Sequence, residues 1–196
     1  MRKYFFIAAF GICAGVCSGQ SPWKFRSDNF LGFETGQLGG RGHVETVNGL
    51  YRGPWFLGLG AGLDYYRFRS VPLFLHVTRD LLAFGNRSGL SLYLDGGINL
   101  PWYKRDLTTY QTQLVSSSKF YARPWGSAGV GYKWRLSART DKALLVSAGY
   151  SIKKLREKLT GTTFCATSSC PLETPNQTYI YDYVNHTFLF LVGFRF

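Results

Sequence analysis

YIYDYVNHTFLFLVGFRF, the segment Tyr179–Phe196, ends the chain with a regular alternation of apolar and polar residues. One side of the alternation carries Phe188, Phe190, Val192, Phe194 and Phe196, and the other carries Asn185, Thr187, Gly193 and Arg195. Successive side chains of a β-strand point to opposite faces, so the pattern predicts a strand with one apolar and one polar face. Such a strand lies between an apolar environment and a polar one.

The same period of two recurs along the chain and predicts eight strands in all. In Trp55–Arg67 the apolar residues alternate with glycine, aspartate and tyrosine, and Leu90–Leu100 alternates almost without a break. The remaining predicted strands are Phe30–Leu38, Val44–Arg52, Val71–Leu81, Phe120–Arg135 and Ala143–Leu155. The sequence of the second of the eight does not show which of its faces is apolar.

Glycines concentrate on the polar faces of these strands, at Gly58, Gly60, Gly62, Gly97, Gly129 and Gly131. In a narrow lumen they make room for large side chains on the same polar faces, such as Tyr66, Tyr93 and Trp125. We therefore predict an all-β fold: an eight-stranded antiparallel up-and-down transmembrane β-barrel with a filled polar lumen. The alternation alone leaves open a soluble barrel whose apolar face points inward.

The N-terminus has the features of an export signal. Two cations precede the apolar run Tyr4–Val16, and small residues follow it. The run is shorter than the roughly 20 residues that a membrane-spanning helix needs, so a signal peptide over residues 1–19 is the prediction. Lipid attachment at Cys17 is the alternative. Residues 20–196 then form one outer-membrane β-barrel domain.

The composition narrows the possible partners. The chain has 23 Lys and Arg against 11 Asp and Glu, a net charge of +12, but export makes nucleic acid an implausible partner. Cys165 and Cys170 lie five residues apart in a polar loop and are expected to form a disulfide in an oxidising compartment. A metal site at this pair would need more ligands than are nearby, so we predict no metal and no cofactor.

The predicted connections alternate between long and short. Long polar segments cover Pro101–Lys119 and Glu157–Thr178, whereas Gly53–Pro54, Gly85–Ser88 and Ser137–Lys142 are short enough for tight turns. In outer-membrane barrels the long connections are extracellular and the tight turns periplasmic. Both chain ends are therefore predicted on the periplasmic side.

Several runs resemble the small outer-membrane barrels of Bacteroidetes-type bacteria. They are LGLGAGLDYYRFRSVPLFLHV (Leu57–Val77), GSAGVGYKW (Gly126–Trp134), SAGYS (Ser147–Ser151) and the ending VGFRF. The ending is similar to the signal that the outer-membrane assembly machinery recognises, with Phe190, Val192, Phe194 and Phe196 on one face. This resemblance implies the fold and the bacterial outer membrane as location, and it transfers no catalytic residue to this chain.

Charged residues on the polar faces are the first candidate site. We expect a lumen network formed by Glu34, Asp64, Asp95, Arg123, Lys133 and Arg135, joined by Lys153. Charges in a narrow interior must be paired, because an unpaired buried charge costs several kcal/mol. The main interpretation is an internal salt-bridge network that fills the barrel, and an ion or proton path is the alternative.

His76 and His186 are the candidates for enzymatic chemistry, since some small barrels modify lipid A with a histidine near the membrane edge. Neither histidine has a serine nucleophile at alternate spacing. We therefore interpret His76 as a lumen packing residue and His186 as a rim residue, and no catalytic residue is predicted.

Cations near the predicted outer rim form the second candidate site. They are Arg67, Arg69, Lys104, Arg105, Lys119, Lys153, Lys154, Arg156 and Lys158, and the parity of Lys153 points inward instead. Such residues commonly edge an apolar band, and the sharper hypothesis is contact with lipopolysaccharide phosphates.

The predicted function is a monomeric, non-enzymatic outer-membrane barrel with a structural or surface-interaction role. A lipid A-modifying enzyme and a narrow channel or small-solute binder are the alternatives.

Overall fold

The computed structural model describes residues 22–85, 87–102, 113–137, 141–163 and 177–196, and these form one antiparallel sheet. Its strands are β1 Lys24–Gly36, β2 Gly39–Arg52, β3 Trp55–Asp64, β4 Ser70–Phe84, β5 Ser88–Pro101, β6 Gln113–Tyr121, β7 Arg123–Arg135, β8 Ala143–Thr163 and β9 Gln177–Arg195. Only Ala122 separates β6 from β7, and both pair with β8. They are two parts of one barrel strand, so the predicted eight-stranded antiparallel barrel is confirmed.

Pairing between the first and the last strand closes the barrel. β1 pairs with β9 from Asp28↔Arg195 to Gly36↔Thr187, and β9 pairs with β8 along nearly its whole length. The other strands pair with their neighbours in chain order. In an open sheet the backbone groups of the two edge strands are unpaired. Closure pairs these groups of the first strand with those of the last.

Most strands are longer than the sequence predicted, and three of them run beyond the rest of the barrel. β6, β8 and β9 continue past the barrel as a three-stranded extension, where Gln113 pairs with Thr163 and Gly161 pairs with Gln177. Large parts of the predicted loops 101–119 and 157–178 are therefore strand, because cross-strand pairing satisfies polar residues that lack a clear alternation. Residues 103–112 and 164–176 lie outside the described part, and the predicted disulfide Cys165–Cys170 is among them.

Tight turns join strands at the end of the barrel that holds both chain ends. Gly53 and Gly85 adopt positive φ angles of 58° and 63°. Gly53 and Pro54 form the two-residue turn between β2 and β3. A hairpin turn with glycine as its first central residue requires a positive φ at that glycine. At the third turn, the amide of Leu136 donates to the carbonyl of Lys142 at 3.0 Å. The structure thus places these short connections and both chain ends at the same end of the barrel.

The two faces of the sheet have opposite chemistry. On β3, Leu57 and Leu59 are exposed on the outside, whereas Phe56 and Asp64 are buried inside. No helix in the described part of the chain is long and apolar enough to cross a membrane. The structure also orients β2, since His43, Glu45 and Val47 are buried and Val44, Asn48 and Leu50 face outward.

Apolar side chains fill one level of the lumen, in a cluster of Val47, Phe56, Phe74 and Trp125. The rings of Phe74 and Trp125 pack with centroids 4.9 Å apart. Phe74 lies over Gly60, where an added Cβ would collide with the ring. Because the Phe74 ring also packs against Trp125, a larger residue at position 60 would have to displace a packed ring.

We predict that Gly60→Ala destabilises the barrel by about 1–3 kcal/mol, the usual cost of overpacking a filled core. The measurement is the temperature at which folded protein in detergent converts to its unfolded gel mobility. Gly96→Ala is the matched control, because nothing lies within 4 Å of a Cβ built at Gly96. Adding Phe74→Leu to Gly60→Ala should restore part of the loss, and equal effects of the two alanine variants would contradict the packing argument.

Candidate functional site

The lumen contains buried charged groups in three layers. The upper layer lies toward the Gly36–Gly39 turn, the middle layer around His76, and the lower layer near the chain ends. The sequence predicted one network of acids and bases, whereas the structure arranges their direct ion pairs in three groups. Residues of all three groups line a small cavity beside His76.

In the upper layer, Lys153 donates to the carboxylate of Asp64 and to the carbonyl oxygen of Tyr66, the latter at 2.8 Å. The side chains of Lys153 and Asp64 are both 0 % exposed. Glu34 accepts a hydrogen bond from the hydroxyl of Thr187. Lys153 is therefore a lumen residue, as its parity indicated, and it does not belong to the outer rim.

Two further residues of the upper layer come from β2. The ring Nε2 of His43 donates to Glu45 Oε2 at 3.1 Å, and both side chains are buried. Sequence reasoning missed them because β2 had no orientation. The signal was present in the spacing, since His43-Val44-Glu45 places two polar residues on one face with an apolar residue between them.

In the middle layer, His76 bridges two groups. Its Nδ1 lies 2.5 Å from Asp95 Oδ1, and its Nε2 contacts the hydroxyl of Thr78. Ser127 donates to the other oxygen of Asp95 at 2.6 Å. With Nδ1–H donating to Asp95, Nε2 accepts from Thr78, so a neutral imidazole satisfies both contacts. His76 is buried in the lumen as the sequence analysis expected.

In the lower layer, Asp28 lies between two guanidinium groups. Arg26 Nη2 lies 2.5 Å and Arg195 Nε lies 2.9 Å from its carboxylate. Arg26 also stacks over the ring of Phe56 at 3.7 Å. Both guanidinium groups make bidentate contacts with the Asp28 carboxylate, and contacts of this kind fix the geometry of both partners. The first predicted strand began at Phe30, so this layer was missed except for Arg195.

Three of the predicted network residues lie elsewhere. Lys133 is buried but pairs with Asp80 near the mouth of the barrel that holds the chain ends. Arg123 is half-buried and acts electrostatically on Asp182, while Arg135 is exposed. Arg123 and Arg135 are the first and last residues of β7, so their side chains reach the two mouths of the barrel instead of the deep lumen.

The structure places the predicted rim cations in different surroundings. Arg156 forms a bidentate pair with Asp182, with both contacts at 2.6 Å. These hydrogen bonds hold the pKa of Asp182, which lies on the extension beyond the barrel, below its usual range. Lys104 and Arg105 lie outside the described residues. His186 is exposed and contacts the hydroxyl of Tyr150 at 2.7 Å, which agrees with a rim position.

Other cations of the rim lie on strands or, for Arg67 and Arg69, in the connection between β3 and β4. Lys154 and Arg69 are exposed, and Arg67 stacks over the ring of Tyr183 at 4.0 Å. Lys119 on β6 lies directly opposite Lys158 on β8. Like charges opposite each other on neighbouring strands are unfavourable unless an anion lies close to both.

Two solved outer-membrane barrels have similar folds. The N-terminal β-barrel domain of OprF from Pseudomonas aeruginosa matches with a TM-score of 0.50 and 11% identity, covering 91% of this chain and 100% of that one. The outer membrane protein OprG from the same organism matches with a TM-score of 0.54 and 12% identity, covering 91% and 98%. At this identity the likeness concerns the fold alone. No family model matches the chain, and no curated protein matches it in sequence.

We predict that Lys153→Met destabilises the barrel by about 3–5 kcal/mol, because it leaves the carboxylate of Asp64 buried without its partner. Lys154→Met is the matched control: the neighbouring side chain is exposed, and its loss should change stability by less than about 0.5 kcal/mol. The measurement is urea unfolding in detergent followed by tryptophan fluorescence. A double variant Lys153→Met/Asp64→Asn should recover much of the loss, and equal stability of the two methionine variants would contradict the buried pair.

Proposed function

We propose that this chain is a monomeric, non-enzymatic barrel of the bacterial outer membrane that strengthens the envelope and presents its β6–β8–β9 extension outside the cell. The observation that carries the proposal is the continuous apolar outer face around a filled lumen. Large apolar side chains point outward from the barrel strands, and the exposed fraction reaches 71% at Leu59. Soluble proteins rarely expose contiguous apolar patches of more than a few hundred Å², so a lipid environment fits this face.

Aromatic residues edge the outer face toward the chain ends. They include Trp23, Phe25, Trp55, Phe84, Trp134 and Phe196, all exposed. Aromatic girdles at the level of the lipid headgroups are a feature of transmembrane barrels. Their position supports a membrane boundary at this edge of the barrel.

The C-terminal strand supports the proposed route into the membrane. Phe190, Val192 and Phe196 are exposed on the outer face of β9, and Phe194 packs edge-to-face against Phe196 with centroids 4.6 Å apart. A terminal strand with an apolar outer face can pair with an edge of the assembly machinery before the barrel closes. An origin in Bacteroidetes-type bacteria rests on the resemblance of the sequence runs.

The lumen favours a structural role over a channel. A cavity beside His76 and Tyr93 has a volume of about 30 Å³, and another near Tyr51 and Asp141 has about 60 Å³. Each has room for a few water molecules. Paired charges and packed rings occupy the space between them, so a solute would have to displace buried ion pairs to pass.

An enzyme is the second candidate, because Thr78, His76 and Asp95 form a hydroxyl–histidine–carboxylate series. Nucleophilic catalysis uses groups in this order. All three side chains are buried, however, and the adjoining cavity of about 30 Å³ is far too small for a lipid acyl chain. Hydrogen bonds that hold the middle layer together are the better account of this series.

A deletion strain separates the two candidates. We expect an unchanged lipid A mass spectrum together with increased entry of a dye that the envelope normally excludes, and both wild-type protein and His76→Gln should restore the barrier. A lipid A mass shift that wild-type protein reverses and His76→Gln does not would contradict the non-enzymatic proposal.

The outer cations support lipopolysaccharide as the lipid partner. We define the basic collar as Arg67, Arg69, Lys119, Lys154 and Lys158, which lie on the outer surface beyond the apolar face. Lipid phosphates placed between Lys119 and Lys158 would relieve the repulsion across the strands. Arg156 is left out of the collar because Asp182 already satisfies it.

We predict that Arg69→Glu/Lys154→Glu/Lys158→Glu lowers the lipopolysaccharide that copurifies with the protein. Each cation near an anionic surface contributes about 1 kcal/mol, so loss of three weakens binding on the order of a hundredfold. Salt should weaken wild-type binding more than binding by the variant.

Lys24→Glu/Arg87→Glu/Lys142→Glu is the matched control, since it makes the same charge change at exposed positions near the other mouth. Equal lipopolysaccharide in both triple variants and in wild-type protein would show that the collar is only a solvated rim.

A further inference from the structure

Three strands converge on one point of the upper lumen. Glu34 on β1, His43 on β2 and Asp64 on β3 bring one ligand atom each to within 4.8 Å of one another. His43 and Asp64 are directly opposite in the β2–β3 pairing. Each of the three residues is only 1% exposed, so the cluster is enclosed by the barrel.

Two atoms of this cluster face each other without a hydrogen-bond partner. They are Glu34 Oε2 and His43 Nδ1, which lie 3.8 Å apart. Glu45 accepts from Nε2–H of His43, and in a neutral ring with that tautomer Nδ1 keeps its lone pair. Two buried acceptors aimed at each other are unfavourable, because neither regains the hydrogen bond that water supplied.

The charges around the two acceptors are unbalanced. Glu34, Glu45 and Asp64 are buried acids, and the buried cation Lys153 pairs with Asp64. With His43 neutral, the three carboxylates exceed Lys153 by two negative charges. A divalent cation supplies the missing charge and accepts both lone pairs.

We propose that this cluster binds a divalent transition-metal ion of the zinc type, with Glu34 Oε2, His43 Nδ1 and the Asp64 carboxylate as ligands. A mixed nitrogen and oxygen set suits such an ion. Ligand bonds of about 2.0–2.2 Å place tetrahedral ligand atoms about 3.3–3.6 Å apart, so the pair at 3.8 Å is nearly at bonding geometry. Asp64 lies within 4.8 Å of both of these ligands, and its two oxygens also accept from the Tyr66 amide and from Lys153, so it must shift toward the other two ligands to complete the set.

The surrounding contacts are those that orient metal ligands. Glu45 holds the far nitrogen of the His43 ring, Thr187 holds the second oxygen of Glu34, and Lys153 holds Asp64. Carboxylates and hydroxyls behind ligands commonly fix the tautomer and the direction of the lone pair. The ion would tie β1, β2 and β3 together on the inside, as a structural site.

Because the folded barrel encloses the cluster, the metal ion is supplied while the chain refolds. Purified chain is refolded in detergent with Zn²⁺ or with EDTA, passed over a desalting column, and analysed for zinc by mass spectrometry. We expect one zinc per wild-type chain and a higher temperature of the gel-mobility shift with Zn²⁺ than with EDTA. Glu34→Gln and His43→Gln should each weaken zinc retention at least tenfold, and Glu45→Gln should weaken it by about 10- to 100-fold.

His76→Gln is the matched control, because it removes an equally buried lumen histidine outside the cluster and should retain zinc at the wild-type level. Gel mobility reports whether each variant folds, and Glu45→Gln tests the site with all three ligands intact should a ligand variant fail to fold. A folded wild-type barrel without zinc would overturn the proposal. So would zinc retention that Glu34→Gln, His43→Gln and Glu45→Gln leave unchanged, since the ion would then be bound elsewhere.

Discussion

Closure of the hydrogen-bonded sheet is the constraint on which the other features depend. Where water is absent from the outer face, each backbone N–H and C=O must find its partner within the chain, and a barrel without edges achieves this. The pairing of β1 with β9 supplies the last row of bonds. Once the sheet is closed, every strand has an outside and an inside, and the period of two assigns each residue to one of them.

Closure also explains why so many charged groups are buried. An eight-stranded barrel has an interior that side chains nearly fill, so the polar face of each strand meets polar faces from across the lumen. Asp28 between two arginines and Asp64 with Lys153 show the result, since each acid has a cation within contact distance. The upper layer departs from this balance, and the proposed metal ion follows from that departure.

The sequence was sufficient for the number of strands and for most faces, because alternation is a local property of each strand. It could not orient β2, where Val44, Thr46 and Asn48 make the outer face only partly apolar. The register between strands, which brings Glu34, His43 and Asp64 together, depends on pairing across the sheet and has no signal within one strand. For the same reason, the strand character of Glu157 in the extension was missed: its strand partners Phe120 and Tyr181 lie far away in sequence.

The central claim is that the apolar face of the barrel contacts lipid while the polar face fills the lumen. Nitroxide labels placed one at a time along β5, from Leu90 to Leu100, test it directly in reconstituted bilayers. We expect oxygen dissolved in the lipid to reach labels at Leu92, Leu94 and Ile98 readily. Labels at Ser91, Asp95 and Asn99 should be reached poorly, so that the accessibility to oxygen alternates with a period of two residues. The opposite phase, or uniform access of a water-soluble reagent to both sets, would contradict it.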